Sequence, residues 1–318
     1  MPAASSSRRT PTSVRPGRTP RRCRATCGIA APGAPGDTDR RPARGTRVEP
    51  PDVWGRYRRP PVLEGQRSGE RHRSAIRSAV VWEALQALLH ARRVAAGSAG
   101  EPLRVVDLGG GTGGLAVQVA SLGHQVLVVD PSPDALASLE SRAAEGGVTA
   151  SVRGVLGDAS TLGDAVGEQG CDVVICHGVL EVVDAPAEAL RAAAAVLVPG
   201  GSLSVLVAQR SAAVLGRALA GHLGDARAAL ADPDGTWGST DPTPRRFSRD
   251  QLETLLFDAG FDRPDVRGVR VFVDHLSGAV LDTEPGAAAA LRALEAEVAT
   301  HPDFMAIATQ LHLLATRR

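Results

Sequence analysis

Apolar residues recur at helical spacing in the segment that starts at Arg73, and this spacing predicts an amphipathic helix. The residues that carry the pattern are Ala75, Ile76, Ala79, Val80, Trp82, Leu85, Leu88 and Leu89. Further along the chain, short apolar runs alternate with helical patterns. Near-continuous apolar strands separated by helices are typical of a parallel sheet that is covered on both faces.

The alternation predicts seven strands and the helices between them. The strands are expected at residues 103–108, 125–130, 148–155, 171–176, 202–208, 266–273 and 308–315. The helices are expected at residues 114–122, 132–144, 186–197, 248–259 and 286–299, with Ser132 and Ser248 as N-caps. The predicted fold is α/β, a doubly wound, mostly parallel seven-stranded sheet with an antiparallel last strand. Residues 209–247 interrupt the alternation and are expected to form a lid or substrate segment.

The first 50 residues differ from the rest of the chain. They contain eight prolines and show no hydrophobic periodicity. Such a segment cannot bury enough apolar surface to offset the entropy of ordering it. We expect either a disordered Arg/Pro-rich arm or a start codon that is assigned too far upstream. We interpret residues 51–72 as a basic linker and residues 73–318 as the folded domain.

The formal net charge of +1 conceals an uneven distribution of charge. Residues 1–50 carry 11 arginines against three acidic residues, and the remainder of the chain is net acidic. This distribution excludes a globally basic nucleic-acid-binding protein but leaves a local patch open. Residues 51–77 hold seven arginines against three acidic residues, beside Trp54 and Tyr57. Such a patch can contact RNA phosphates and stack an unpaired base, or it can simply continue the arm.

The cysteines and the longest uncharged stretch exclude two further classes of protein. The four cysteines, at positions 23, 27, 171 and 176, form no Cys-x-x-Cys pair. We therefore expect no metal site, no disulfide framework, and a reducing, cytoplasmic location. Residues 192–209 carry no charge, but Pro199, Gly200 and Gly201 divide them into a predicted helix, turn and strand. We accordingly expect no membrane association.

A glycine-rich loop follows the first predicted strand and leads into a helix, in the sequence VVDLGGGTGG at 105–114. Glycines allow the backbone to approach a ligand closely, and a helix N-terminus offers unpaired N–H groups. Two ligand classes fit the spacing. Gly109, Gly111 and Gly114 match the dinucleotide pattern G-x-G-x-x-G. Asp107, Gly109, Gly111 and Gly113 match the D-x-G-x-G-x-G loop of S-adenosylmethionine enzymes.

Acidic residues near the strand ends favour the second class. Asp107 can hold the cation-bearing amino-acid part of S-adenosylmethionine, directly or through water, but would repel a pyrophosphate. Asp130 ends the second strand and is placed for ribose hydroxyls in either case. Asp158 follows the third strand and can accept a hydrogen bond from an adenine amino group. The alternative roles are a helix N-terminal charge for Asp130 and a solvated turn residue for Asp158.

The glycine loop, Asp130, the segment Gly157, Asp158 and Ala159, and residues 197–201 resemble the motif set of the class I S-adenosylmethionine-dependent methyltransferases. More narrowly, the chain resembles the bacterial tRNA 5-carboxymethoxyuridine methyltransferases. That closer match lies in residues 77–82, 177–181 and 268–272, with Asp274 and Leu276. The resemblance implies the Rossmann-like class I fold and S-adenosylmethionine as cofactor. It also implies tRNA as partner, with methylation of the carboxylate of a modified wobble uridine.

The resemblance assigns a set of site residues. The cofactor-binding candidates are Asp107, Gly109, Gly111, Gly113, Asp130, Asp158, Ala159 and His177. The catalytic candidates are His177, Arg270 and Arg77. A carboxylate acceptor is already deprotonated at neutral pH, so it needs cations to hold it and no general base. Arg77, Arg210 and Arg270 are the arginines near the predicted sheet edges and lid that could hold the carboxylate, and the resemblance favours Arg270. His177 can instead be a packing residue.

The chain departs from the family pattern beside Asp274, where Val273 and His275 replace the expected His and Tyr. Adjacent residues on a strand point to opposite faces, so at most one of Asp274 and His275 should face the ligand. The departures leave the acceptor open. A small-molecule methyltransferase and a non-catalytic S-adenosylmethionine-binding protein remain alternatives. A nicotinamide dehydrogenase is disfavoured by Asp107 and by the absence of lysine, which excludes a Tyr-x-x-x-Lys pair.

Overall fold

The computed structural model describes residues 64–95, 101–232, 243, 245–276, 281 and 284–318. These residues belong to one compact unit, Arg59–Arg318. The predicted arm at 1–50 and residues 51–63 of the predicted linker lie outside the described residues. The leading helix, α1, covers Glu64–Ala95, so linker residues 64–72 are helical.

Seven strands form one sheet in the order β3-β2-β1-β4-β5-β7-β6. They are β1 (Arg104–Leu108), β2 (Gln125–Asp130), β3 (Val152–Leu156), β4 (Cys171–His177), β5 (Leu197–Ala208), β6 (Asp265–Val269) and β7 (Gln310–Thr316). The first five strands pair in parallel, and β7 lies antiparallel between β5 and β6. The predicted fold class is confirmed.

Nine further helices of the described chain connect or flank the strands. They are α2 (Gly114–Ser121), α3 (Pro133–Glu145), α4 (Leu162–Val166), α5 (Pro186–Val196), α6 (Arg210–Leu219), α7 (Leu223–Ala231), α8 (Arg249–Asp258), α9 (Ala287–Val298) and α10 (Pro302–Met305). Both predicted N-caps are confirmed, since Ser132 accepts the Ala135 N–H at 3.2 Å and Ser248 forms a capping box with Gln251. Within the described part of the chain, no helix is both long and apolar enough to cross a membrane.

Alternate residues of the central strands enter two separate cores, as the pleat of a strand requires. Val105 packs in a cluster with Leu85 of α1. The next residue, Val106, packs on the opposite face with Leu190 of α5 and Leu252 of α8. Helices therefore cover both faces, which explains why the strands are apolar throughout and why their sequence signal is strong.

Three predicted strand boundaries are wrong by four or five residues, and the other strand boundaries differ by two residues or fewer. β3 begins at Val152 instead of residue 148, because residues 148–151 form a turn in which the Ser151 N–H donates to the Val148 carbonyl at 2.9 Å. β5 begins at Leu197, because Gly200, with a φ of 71°, allows an irregular strand where a turn was predicted. β6 ends at Val269, because Arg270 has a φ of 63° and turns the chain.

The described part of residues 209–247, the predicted lid or substrate segment, is largely helical. Helices α6 and α7 occupy most of it and pack against each other. Alanines at positions 212, 226 and 229 are buried in this pair. The hydrophobic pattern of α7 is weak, because alanines give little contrast, whereas the sequence of α6 has a clear amphipathic pattern that indicates a helix.

The strand order places the site. The sheet reverses direction of growth between β1 and β4, and ligands of open α/β sheets bind at the carboxyl ends of strands beside such a switch point. The glycine loop after β1, Asp130 at the end of β2 and His177 at the end of β4 all lie at this edge.

Candidate active site

The loop between β1 and α2 has a backbone that glycine adopts readily. Gly109, Gly111 and Gly113 have φ angles of 70°, 56° and 74°, in the left-handed region. A Cβ at Gly113 would overlap Leu139 Cδ1, and a Cβ at Gly109 would lie 2.5 Å from Val179 Cγ2. Side chains are thus excluded by space as well as by conformation. The bare loop leads to the N-terminus of α2, where backbone N–H groups are free of helical partners.

Asp107 lies beneath this loop and is 3% exposed. A Cβ at Gly110 would lie 2.5 Å from Asp107 Oδ2, so the carboxylate contacts the underside of the loop. Within the described residues, Oδ2 has no hydrogen-bond partner. Burial, and secondarily the charge of Asp130, raises the pKa of Asp107 to about 7. A cation bound beside this carboxylate would favour its charged form.

Asp130 connects the ends of two neighbouring strands. Its Oδ2 accepts the Gly111 N–H at 2.9 Å, and its Oδ1 accepts the Ser132 N–H at 2.9 Å. Asp130 therefore fixes the glycine loop and the start of α3 at once. Each carboxylate oxygen can accept a second hydrogen bond, so the geometry also permits a contact to ligand hydroxyls.

Asp158 is exposed and caps the single 3-10 turn Ala159–Thr161. Its Oδ1 accepts from the Ser160 hydroxyl at 2.6 Å and from the Ser160 N–H at 2.8 Å. The hydroxyl contact is the main cause that lowers the pKa of Asp158. This carboxylate has a local capping role. Its contact with an adenine amino group stays a prediction, and so does cofactor binding by Ala159.

His177 ends β4 and contacts a buried polar pair. Its Nε2 lies 2.8 Å from Ser204 Oγ, and the same oxygen lies 2.8 Å from Nε2 of the fully buried His312. Burial, and then the neighbouring His312, lowers the pKa of His177 well below its usual range. His177 is therefore neutral at physiological pH and cannot hold an acceptor carboxylate by charge. The next residue, Gly178, lines a cavity at this edge of the sheet.

Three segments far apart in the sequence meet at Asp274. Arg77 of α1 donates from Nε to Asp274 Oδ1 at 3.0 Å. Arg270 places Nη2 2.6 Å from Asp274 Oδ2, and Thr309 donates to the same oxygen at 3.0 Å. Two guanidinium groups thus share one carboxylate. Arg77, Arg270, Asp274 and Thr309 therefore form one group of paired polar side chains.

A cavity of about 430 Å³ opens beside this group and is lined by Gly178, Glu181, Arg246, Arg270 and Asp274, among others. Glu181 supports its wall, since Oε1 accepts the Ala208 N–H at 2.8 Å. Burial raises the pKa of Glu181. The volume lies within the range of about 300–1,000 Å³ that is usual for small-ligand sites.

The chain is similar in sequence to several known proteins. A family model described as a methyltransferase domain matches residues 106–205. The tRNA 5-carboxymethoxyuridine methyltransferase of Escherichia coli (strain K12) is 30% identical over 203 residues, which cover 63% of this chain and 73% of that protein. The chain belongs to the S-adenosylmethionine-dependent methyltransferases.

The methyltransferase is also similar to an O-methyltransferase in sequence and to a methyltransferase of solved structure. The ubiquinone biosynthesis O-methyltransferase of Xanthomonas euvesicatoria pv. vesicatoria (strain 85-10) is 32% identical over 168 residues, 52% of this chain and 65% of that protein. Among solved structures, the magnesium protoporphyrin IX methyltransferase from Synechocystis PCC 6803 with bound SAH is 18% identical, with a TM-score of 0.46. That similarity covers 80% of this chain and 86% of the Synechocystis chain.

The methyltransferase uses S-adenosylmethionine as its cofactor. The residues at the strand ends fit this molecule. The buried carboxylate of Asp107, with Oδ2 unpaired in the described chain, suits a cationic amino-acid group. The loop of Gly109, Gly111 and Gly113 allows a ligand to approach the backbone closely. The Asp130 carboxylate can accept further hydrogen bonds from hydroxyl groups. The role of each of these residues toward the cofactor stays a prediction.

The structure brings together some of the predicted acceptor residues and separates others. Arg77 and Arg270, candidates from opposite ends of the domain, meet at Asp274. Arg210 instead donates from Nη1 to the Asp232 carbonyl at 2.9 Å. Asp274 lines the cavity, whereas His275 is exposed. Only one of the two residues faces the cavity, as predicted, but not because side chains alternate along a strand. Both residues lie in a turn beyond β6.

Sequence reasoning missed three residues at or behind this cavity. Arg246 lines it from the end of the segment at 209–247. Thr309 fixes Asp274, and Glu295 binds the segment that follows Arg270. Glu295 carried a signal, because it lies in one helical stripe with the apolar residues Leu291 and Val298. An acidic residue in an apolar stripe indicates a buried partner.

Proposed function

We propose that the methyltransferase acts on the carboxylate of a modified wobble uridine in tRNA. The observation that carries the proposal is the similarity of the chain to a tRNA 5-carboxymethoxyuridine methyltransferase over 73% of that protein's length. The position of Arg270 in the wall of the cavity supports it, because an acceptor carboxylate requires a cationic group to hold it.

For methyl transfer to a carboxylate, the main task of the chain is to position the acceptor beside the methyl donor. S-adenosylmethionine supplies, when bound, an activated methyl group on a positively charged sulfur. The acceptor carboxylate is ionised at neutral pH, so no residue has to remove a proton from it. Arg270 binds the carboxylate and orients it in the cavity, since methyl transfer depends mainly on in-line positioning. The neutral His177 supplies no competing charge at the end of β4.

A small-molecule O-methyltransferase is the competing proposal. It is supported by the similarity to the ubiquinone biosynthesis O-methyltransferase. A hydroxyl acceptor would need a base to remove its proton, and the cavity offers Glu181 and Asp274 for that task. The two proposals therefore differ in which charged residues the reaction requires.

Parallel transfer assays separate the two acceptors. Purified enzyme and radiolabelled S-adenosylmethionine are incubated with tRNA that bears 5-carboxymethoxyuridine, with the same tRNA without the modification, and with a small-molecule extract. The proposal predicts label on the modified tRNA alone. Equal labelling of both tRNAs, or label in the extract with none on tRNA, would contradict it.

Arg270 gives the matching residue-level prediction. Arg270→Ala should lower kcat/KM for the modified tRNA roughly 10- to 100-fold, because a charged hydrogen bond contributes about 1.5–3 kcal/mol. Affinity for the cofactor should stay nearly unchanged. Arg270→Lys should recover only part of the activity, since Lys lacks the planar fork. Arg191→Ala, on the exposed face of α5, is the control. Full activity of Arg270→Ala would remove Arg270 from the acceptor site.

A further inference from the structure

Glu295 of α9 is a buried carboxylate whose partners are three successive backbone amides. It is 1% exposed. Its Oε2 accepts the Val271 N–H at 2.9 Å, and its Oε1 accepts the Phe272 N–H at 2.9 Å and the Val273 N–H at 2.8 Å. Hydrogen bonds to an ionised acceptor are strong, and three of them offset the burial of one charge.

These amides lie between two residues that line the acceptor cavity. Arg270 precedes them and has a φ of 63°, and Asp274 follows them. A left-handed backbone is unfavourable for a residue with a side chain and persists only where the surrounding structure holds it. Glu295 supplies this support directly after Arg270, while the Thr309 N–H and hydroxyl contact the Arg270 carbonyl at 3.4 Å and 3.2 Å.

We infer that Glu295 is a positioning residue of the acceptor site, which holds the segment 270–274 so that the Arg270 guanidinium faces the cavity. The inference rests on the proposed function for the role of Arg270. Glu295 itself does not line the cavity in the described structure and acts through the backbone that it binds. A Gln at this position would turn an amide NH₂ toward at least one of the three N–H groups, because both oxygens of Glu295 are in use.

The first test is a kinetic comparison of Glu295→Gln with Glu297→Gln, an exposed position on the same helix. For tRNA that bears 5-carboxymethoxyuridine, Glu295→Gln should raise KM about tenfold, which is within the range of interaction energies between residues that share one network. The affinity for S-adenosylhomocysteine should stay constant. Glu297→Gln should match the wild type. A loss of cofactor affinity equal to the loss for tRNA would overturn the inference, because it would indicate general damage to the fold.

A double variant tests whether Glu295 acts through Arg270. If it does, Glu295→Gln should add little to the KM of Arg270→Ala, whereas two independent losses would multiply. Multiplied losses would overturn the inference. Glu295→Asp keeps the charge but withdraws it by one methylene, and it should give an intermediate KM. This variant also serves if Glu295→Gln does not fold.

A second readout does not depend on the acceptor. Arg270 Nε is buried in the structure, so its hydrogen should exchange slowly with solvent in the wild type and in Glu297→Gln. Nuclear magnetic resonance of the guanidinium group should show faster exchange in Glu295→Gln. Unchanged exchange would overturn the inference. If the wild type methylates no tRNA, the proposed function fails, and this exchange measurement alone decides the positioning role of Glu295.

Discussion

Asp107 and Glu295 show two ways in which this chain buries a carboxylate. Glu295 accepts three backbone N–H groups and is fully paired. Asp107 retains an oxygen without a hydrogen-bond partner in the described chain, and its pKa is raised to about 7. A buried carboxylate oxygen without a protein partner keeps its capacity to accept a hydrogen bond or to pair with a cation. The contact of Asp107 with the cationic end of the cofactor stays a prediction.

The raised pKa of Asp107 predicts a pH dependence of stability. Because its folded pKa lies above the unfolded value of 3.8, Asp107 stabilises the ligand-free fold at low pH, and this contribution is lost as the pH rises through about 7. Between pH 5 and 7 the loss should reach roughly 2 kcal/mol. Asp107→Asn should remove this component, as judged from the free energy of unfolding in urea at both pH values.

Asp164→Asn, at an exposed position in α4, is the matched control and should keep the wild-type pH dependence. An identical pH dependence in Asp107→Asn and the wild type would show that Asp107 is not the titrating group. The charge of Asp130 contributes to the raised pKa of Asp107, so Asp107→Asn and Asp164→Asn should both retain Asp130.

Residues differ in how much of their role the sequence reveals. The positions of Asp107 and Asp130 were predictable, because each lies at the end or one residue before the end of a strand with a clear apolar pattern, near the glycine loop. The meeting of Arg77 with Arg270 was not predictable from spacing, because it depends on how α1 packs on the domain and on the shared partner Asp274. Contacts of this kind depend on tertiary structure, which local patterns do not contain.

At the scale of elements, strong patterns predicted well and weak ones did not. β2 matches its predicted bounds, and the caps of α3 and α8 are where the sequence indicated them. Helix α7 was missed because alanines at its buried positions give little contrast with the exposed face, whereas α6 has a clear amphipathic pattern and was predictable. β6 ends at Val269, before Arg270, whose φ of 63° turns the chain. Thr309 binds the Arg270 carbonyl and Glu295 binds the next amide, and such tertiary contacts are not visible in a local pattern.

The capping box of α8 gives a prediction at this scale. The Ser248 hydroxyl accepts the Gln251 N–H at 3.3 Å, and the Gln251 side chain accepts the Ser248 N–H at 2.9 Å. Ser248→Ala should lower the free energy of unfolding by about 1 kcal/mol, because it leaves an N–H of the first turn without its acceptor. Thr254→Ala, on the exposed side of the same helix, should be nearly neutral in the same denaturant titration. Equal effects of the two variants would show that the cap contributes nothing specific.

At the scale of the whole molecule, the composition indicates that the residues after the Arg/Pro-rich segment 1–50 form the folded domain. We predict that a chain starting at Pro51 keeps the melting temperature and the cofactor affinity of the full chain, because residues 1–50 lack the apolar pattern that a packed element needs. Differential scanning calorimetry and titration with S-adenosylhomocysteine measure both quantities. A fall of several degrees in Tm, or weaker binding, would show that the segment contributes to the fold.

The central claim for the whole molecule is that the methyl group is transferred to a carboxylate of tRNA, and the stability of the product to base tests it most directly. The enzyme is incubated with methyl-labelled S-adenosylmethionine and tRNA that bears 5-carboxymethoxyuridine, and the recovered tRNA is then treated with mild alkali. A methyl ester is hydrolysed under these conditions, so the account predicts that the label leaves the tRNA as volatile methanol. Label that stays on the tRNA after alkali would place the methyl group on a nitrogen, a carbon or an ether oxygen and would contradict the account.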